Sequence, residues 1–241
     1  MTYTIVDYGI SCLALFTSLV LYCIFIKPVS KVLDSRRIKL QFVLGLALWA
    51  VFLGGISQSG FLSNFNALPP RMLIVFAIPL LVISWSISKG KKALNKAFEI
   101  ISPANLILLQ SFRVIVEYLL WVAFLEGRTP VQMTFEGYNW DIISGLLPLG
   151  IFYFFVCSRK YRFVVGVVYN VVGLLLLINI LSIAIMSIPG PLRQFMNEPP
   201  NDAVANFPLV YLPGILVPIA YTLHWISLKQ LFYLKRSNLL S

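Results

Sequence analysis

Apolar residues run along this chain in long stretches, and short polar connectors separate them. Spanning a bilayer's roughly 30 Å of hydrocarbon takes about 20 helical residues. Seven stretches qualify, at about 4–26, 40–62, 71–88, 104–126, 140–157, 163–188 and 207–231. Connectors such as FLSNFNALPPR and PGPLRQFMNEPPNDAVANFP gather Pro, Gly and Asn, which break helices and form turns. Apart from closed barrels, only helices satisfy their own backbone groups in lipid. The pattern therefore predicts an all-α polytopic membrane protein, one seven-helix domain over 1–241. Between the third and fourth spans, Lys91–Ile101 reads as a short helix lying along the membrane surface, and Pro103 suits the first turn of the helix that follows. Pro79 to Lys89 and Pro218 to Lys229 end the third and seventh spans alike, each with a tryptophan near its lysine.

Composition agrees. Hydrophobic residues make up 59% and charged residues 12%, against about 25% charged in a soluble domain. The net charge of +10 changes the picture only through where the charges lie. Lys27, Lys31, Arg36, Arg37 and Lys39 fall in one set of connectors, with Lys89, Lys91, Lys92 and Lys96, then Arg159, Lys160 and Arg162, then Lys229, Lys235 and Arg236. The opposite side carries Arg71, Arg128 and Arg193. The positive-inside bias predicts an outside N-terminus and a cytoplasmic C-terminus. Residues 1–20 lack the basic start of a cleavable signal, in keeping with a translocated N-terminus. Basic cytoplasmic loops attract anionic lipid and imply no nucleic-acid partner. Cys12, Cys23 and Cys157 read as packing thiols rather than a disulfide framework.

Within the apolar stretches a few polar residues stand out. In LLQSFRVIVEYLLWVAF (108–124), Gln110, Arg113 and Glu117 lie three and four apart and share one helix face. A lone charge at a helix centre costs about 2.5–3.5 kcal/mol on insertion scales, so that face must turn into the bundle. One turn apart, Arg113 and Glu117 are expected to neutralise each other, with Arg113 near the midplane. The sixth span adds Asn170 and Asn179, the seventh Tyr221 and His224. Gln110, Asn170, Tyr221 and His224 are expected to share one inner-half layer. The seventh span also repeats Pro208, Pro213 and Pro218, predicted to kink it.

The connector between the fourth and fifth spans holds Glu126, Glu136 and Asp141, with Gly127 and Gly137 for turns. Three carboxylates could bind a divalent cation or supply an acid or base. Asp141 alone reads as the N-cap of the fifth helix. QSFRVIVE (110–117), MTFEGYNWDIISG (133–145) and FPLVYLPGILVPIAYTLH (207–224) resemble an uncharacterised family of bacterial multi-pass membrane proteins. The resemblance rests on Gln110, Arg113, Glu117, Glu136, Gly137, Asn139, Asp141 and His224. It implies a bacterial inner-membrane location and a shared fold, and it brings no activity.

Three functions fit. The first is a small-molecule binder or transporter with a polar cavity between helices, where Gln110, Arg113, Glu117, Asn170, Tyr221 and His224 meet a possibly anionic ligand. The second is a membrane enzyme using Glu136, Asn139 and Asp141 at the outer face. The third is a non-catalytic scaffold. A single histidine excludes bis-histidine haem and three-histidine zinc within one chain. No mid-span lysine marks a retinal site, and no phosphate loop, serine elbow or HExxH occurs.

Overall fold

The computed structural model describes residues 4–32, 35–157 and 161–239, with only the backbone of Val32, Lys91, Lys92, Ala93, Val156 and Cys157. The basic residues Arg159 and Lys160 and the Cys157 side chain fall outside the described set. Eight helices form among the described residues. They are α1 Ile5–Lys31, α2 Arg36–Gln58, α3 Met72–Lys89, α4 Lys91–Ile100, α5 Pro103–Leu125, α6 Ile142–Cys157, α7 Arg162–Ser187 and α8 Leu212–Arg236. Six are long and apolar enough to cross a membrane, which marks a membrane protein. α6 is apolar but shorter. At about 1.5 Å per residue its 16 residues rise roughly 24 Å.

The most buried helices, α5 and α8, form the centre. α1 and α6 pack on α5, while α3 and α7 pack on α8. α2 and α3 bury only Leu53 and Ser57, and Met72 and Val75, respectively. The amphipathic α4 forms where its sequence predicts a short helix. It buries Leu94, Ala97 and Phe98, Pro103 opens the helix after it, and Gln230 of α8 donates to the carbonyls of Phe98, at 3.1 Å, and Ile101. The matching ends of α3 and α8 also form alike, with Lys89 over the Trp85 ring at 5.8 Å and Lys229 over Trp225 at 4.5 Å. Cys12 and Cys23 are free, and both are exposed on α1 rather than packed inside.

Two predicted helices differ in shape. α5 is broken at Gln110–Ser111, where hydrogen bonds run three residues back instead of four. The seventh span is expected over 207–231 but its helix starts at Leu212, so Pro208 precedes it. Pro213 sits in a π-type turn over Leu212–Leu216.

Interior prolines free carbonyls four residues back, and the bundle re-pairs two of them. Pro218 leaves the Gly214 carbonyl, which accepts from Trp49 Nε1 at 2.8 Å. Pro148 in α6 leaves the Ser144 carbonyl, which accepts from the Tyr169 hydroxyl at 3.0 Å. Sequence made Pro218 a kink; packing makes Pro218 and Pro148 docking points for α2 and α7. Removing a partner from a buried polar group costs about 1–3 kcal/mol. Tyr169→Phe is expected to lose that much stability in a denaturant titration of the micellar protein, and an unchanged midpoint would refute this role.

Candidate functional site

The connector 126–141 does not stay at the bundle surface. Thr129, Gln132, Met133, Thr134, Asn139 and Asp141 are all buried. Irregular backbone inside a helix bundle needs protein or water around it, and protein surrounds these residues. Gln132 Nε2 donates to Ser187 Oγ at 3.1 Å, and Asn179 Nδ2 donates to the Tyr138 carbonyl at 2.9 Å, so both ends of the loop are tied to α7. Gly137 lies so close to the loop's own start that an added Cβ would come within 2.5 Å of the Val131 carbonyl oxygen. At the loop's outset Arg128 pairs with Asp7 of α1 at 2.8 Å. Burial works against the Arg128 charge, but the hydrogen bonds and charges of Asp7 and Glu126 outweigh it and raise its pKa above the ordinary arginine value.

The inward loop delivers Asp141 to the middle of α5. Arg113, 2% exposed, lies ten residues from one end of Pro103–Leu125 and twelve from the other. Its Nε donates to Asp141 Oδ2 at 2.7 Å, and its Nη2 faces Asp141 Oδ1, a bidentate pair. Its Nη1 lies 3.0 Å from His224 Nε2. A guanidinium can only donate, so Nε2 accepts and the proton sits on Nδ1. That proton points at Asn170 Oδ1, 2.9 Å away. Asn170 Nδ2 donates in turn to Ser227 Oγ at 2.9 Å and to the Gly166 carbonyl at 2.7 Å. A relay of side chains therefore joins loop, α5, α8 and α7.

Glu117, 1% exposed, faces inward as its helix position predicts. Its hydrogen bond comes from Asn139 Nδ2, at 2.6 Å, and Asn139 Oδ1 accepts the Asp141 backbone N–H at 3.1 Å. The expected Arg113–Glu117 pair is thus replaced. Asp141 and Asn139, two residues apart on the loop, take one member each, because an inserted loop offers better-directed partners than a helical neighbour one turn away.

The remaining candidates divide. Gln110 is buried and donates to the Ala220 carbonyl of α8 at 3.0 Å, and among the described residues its own carbonyl oxygen has no partner. The Tyr221 ring meets Phe76 edge-on at 5.3 Å and lies within range of the Arg113 charge. Asp141 precedes α6, but its carboxylate goes to Arg113 and to Ser144 Oγ at 3.2 Å, so capping of the helix backbone is not its main use. Glu136 is exposed and accepts from Trp121 Nε1 at 2.8 Å. Glu126, Glu136 and Asp141 therefore do not converge, and among the described residues no three metal-ligating side chains do. Sequence reasoning missed Ser144 and Ser227, although each lies three residues beyond a singled-out residue on the same helix face. It also missed Gly173, where a Cβ would come within 2.3 Å of the His224 ring.

That contact gives a local test. Gly173→Ala must push the imidazole off Arg113 or Asn170, and overpacking of this kind typically costs about 1–3 kcal/mol. Loss of thermal stability in detergent is the expected readout; an unchanged melting temperature would contradict the packing.

No curated protein and no solved structure matches the chain. A family model described as a domain of unknown function (DUF8737) matches residues 67–232, more than half of the chain. That range holds α3 to most of α8 and the whole relay, leaving α1 and α2 outside. The chain is therefore a member of the DUF8737 family.

Proposed function

We propose that this protein is a seven-crossing bacterial inner-membrane protein that binds or transports a small anionic molecule at Arg113. The charge bias supports an outside N-terminus, which puts loop 126–141 on the outer side and α4 on the cytoplasmic side. A short α6 with a loop inserted ahead of it can complete the fifth crossing. One observation carries the functional reading: the bidentate partner of Arg113 comes from an inserted loop, not from a helix. A carboxylate on a loop can withdraw, whereas one on a packed helix cannot without moving the helix. Asp141 then occupies the place that a solute carboxylate or phosphate takes when the loop retracts.

Charge counting gives Glu117 its part. Arg113 is the single fixed cation here, and His224, accepting through Nε2, is neutral. Asp141 and Glu117 place two carboxylates against that one cation, so a proton on Glu117 balances the site. Ionisable groups in membrane interiors mark substrate and proton paths, and Glu117 is the proton carrier in this reading.

Purified protein in detergent, screened against acetate, phosphate and amino acids by thermal shift, tests it. At least one anion should stabilise the wild type but not Arg113→Gln. Weakening the competitor with Ser144→Ala should strengthen the response. Equal responses of wild type and Arg113→Gln to every anion would refute the site. The scaffold reading also has an observation in its favour: Arg113 already has partners on Nε, Nη1 and Nη2, as an architectural pair would. It predicts no stabilising anion and cells that tolerate paired removal of Arg113 and Asp141.

A further inference from the structure

Polar residues run along α8 from the relay to the helix end. His224, Ser227, Gln230 and Tyr233 follow at three-residue spacing, so each lies beside the next. The first three are at most 1% exposed. Ser227 belongs to the relay through Asn170. Tyr233 donates to Glu99 Oε1 at 2.6 Å, and Glu99 lines a cup of about 650 Å³ at the α4 end of the bundle. Gln230 stands between them. Its Nε2 donates to the carbonyls of Phe98, at 3.1 Å, and Ile101, and both residues also line the cup. Its Oε1 is buried and has no partner among the described residues.

We infer that Gln230 is a gate on the α4 side of the Arg113 site, latching α8 to the α4–α5 junction and closing the relay off from the cup. This rests on the reading of Arg113 as a solute site, whose other gate is loop 126–141. Three features separate a gate from a plain tie. One side chain holds both carbonyls, so one rotation of Gln230 releases them together. Those carbonyls end α4, where a helix cannot pair its own, and the cup beside them offers water in exchange. A tie enclosed on every side would have no such exchange. The free Oε1 also leaves half of the amide unpaired, which lowers what the closed latch is worth.

Thiol reactivity of the detergent-solubilised full chain tests the gate. Cys12→Ser, Cys23→Ser and Cys157→Ser clear the background, and a charged methanethiosulfonate is applied to Ser227→Cys. Two hydrogen bonds hold the latch, so adding Gln230→Ala should speed modification roughly tenfold or more. Thr222→Cys is the control, buried on α8 but two residues from His224 and so off the stripe. Its rate should stay slow with or without Gln230→Ala. Equal rates at Ser227→Cys with and without Gln230→Ala overturn the gate. A parallel rise at Thr222→Cys overturns it too, as the sign of a bundle loosened throughout. Gln230→Asn, one methylene shorter, gives the same comparison should the alanine protein fail to fold. The readout needs no solute, so the gate and the anion site fail separately: Gln230-dependent modification can stand where no anion stabilises the wild type, and the reverse.

Discussion

Asp141→Asn is expected to cost about 3–5 kcal/mol of stability, because it leaves the Arg113 guanidinium buried without its countercharge. Arg113→Gln should cost a similar amount for the opposite reason. The combined Arg113→Gln, Asp141→Asn protein removes both charges and is expected to recover most of the loss, since paired neutral groups need no compensation in a low-dielectric interior. A cycle built on Arg113 and Glu117 is the control. Glu117 bonds to Asn139 and not to Arg113, so that double substitution should show little of the recovery. Denaturant titrations of wild type and the five variants in one detergent read both couplings. Recovery with Glu117 instead of Asp141 would reverse the assignment of partners.

Gly137→Ala should be the most damaging single-methyl change in the loop. Its Cβ would sit 2.5 Å from both the Val131 carbonyl oxygen and the Gln132 Cα. Those are backbone atoms, so no side chain can turn aside to relieve the clash. The cost should reach the upper end of the usual overpacking range of about 1–3 kcal/mol. The effect should also propagate. Residues 131–137 lead directly into Asn139 and Asp141, so a loop forced open loosens Glu117 and Arg113 together. Proteolysis at Arg128 on the loop should accelerate in proportion to the fall in melting temperature. A Gly137→Ala protein with wild-type stability and wild-type cleavage would show that the loop is not packed as described.

The helices and the inward face of α5 were legible in sequence, because both follow from one strong constraint. Lipid requires long apolar runs, and it requires Gln110, Arg113 and Glu117 to turn away from it. Depth placed His224 and Asn170 in one layer, and the structure brings them into contact. Which partner Arg113 takes was not legible. Helix spacing put Glu117 nearest, but spacing says nothing of a connector that folds back into the bundle. Asp141 looked like a helix cap since it sits where caps sit, and only the inserted loop turns its carboxylate sideways. The prolines show the same limit. Pro218 was visible as a helix disturbance and Pro148 was not singled out, while Tyr169 and Trp49, which re-pair the freed carbonyls, come from helices distant in sequence. That the Tyr221 ring packs on Phe76 of α3 was not legible, because spacing along one helix says nothing of the helices beside it.

A loop carboxylate reaches the midpoint of α5. Solid-state NMR dipolar recoupling between the Arg113 guanidinium nitrogens and the Asp141 carboxyl carbon, in lipid bilayers, measures it directly. Strong recoupling, corresponding to N–O separations of about 2.7–2.9 Å, is the predicted result. Dephasing of the Glu117 carboxyl carbon instead, with none at Asp141, would contradict it.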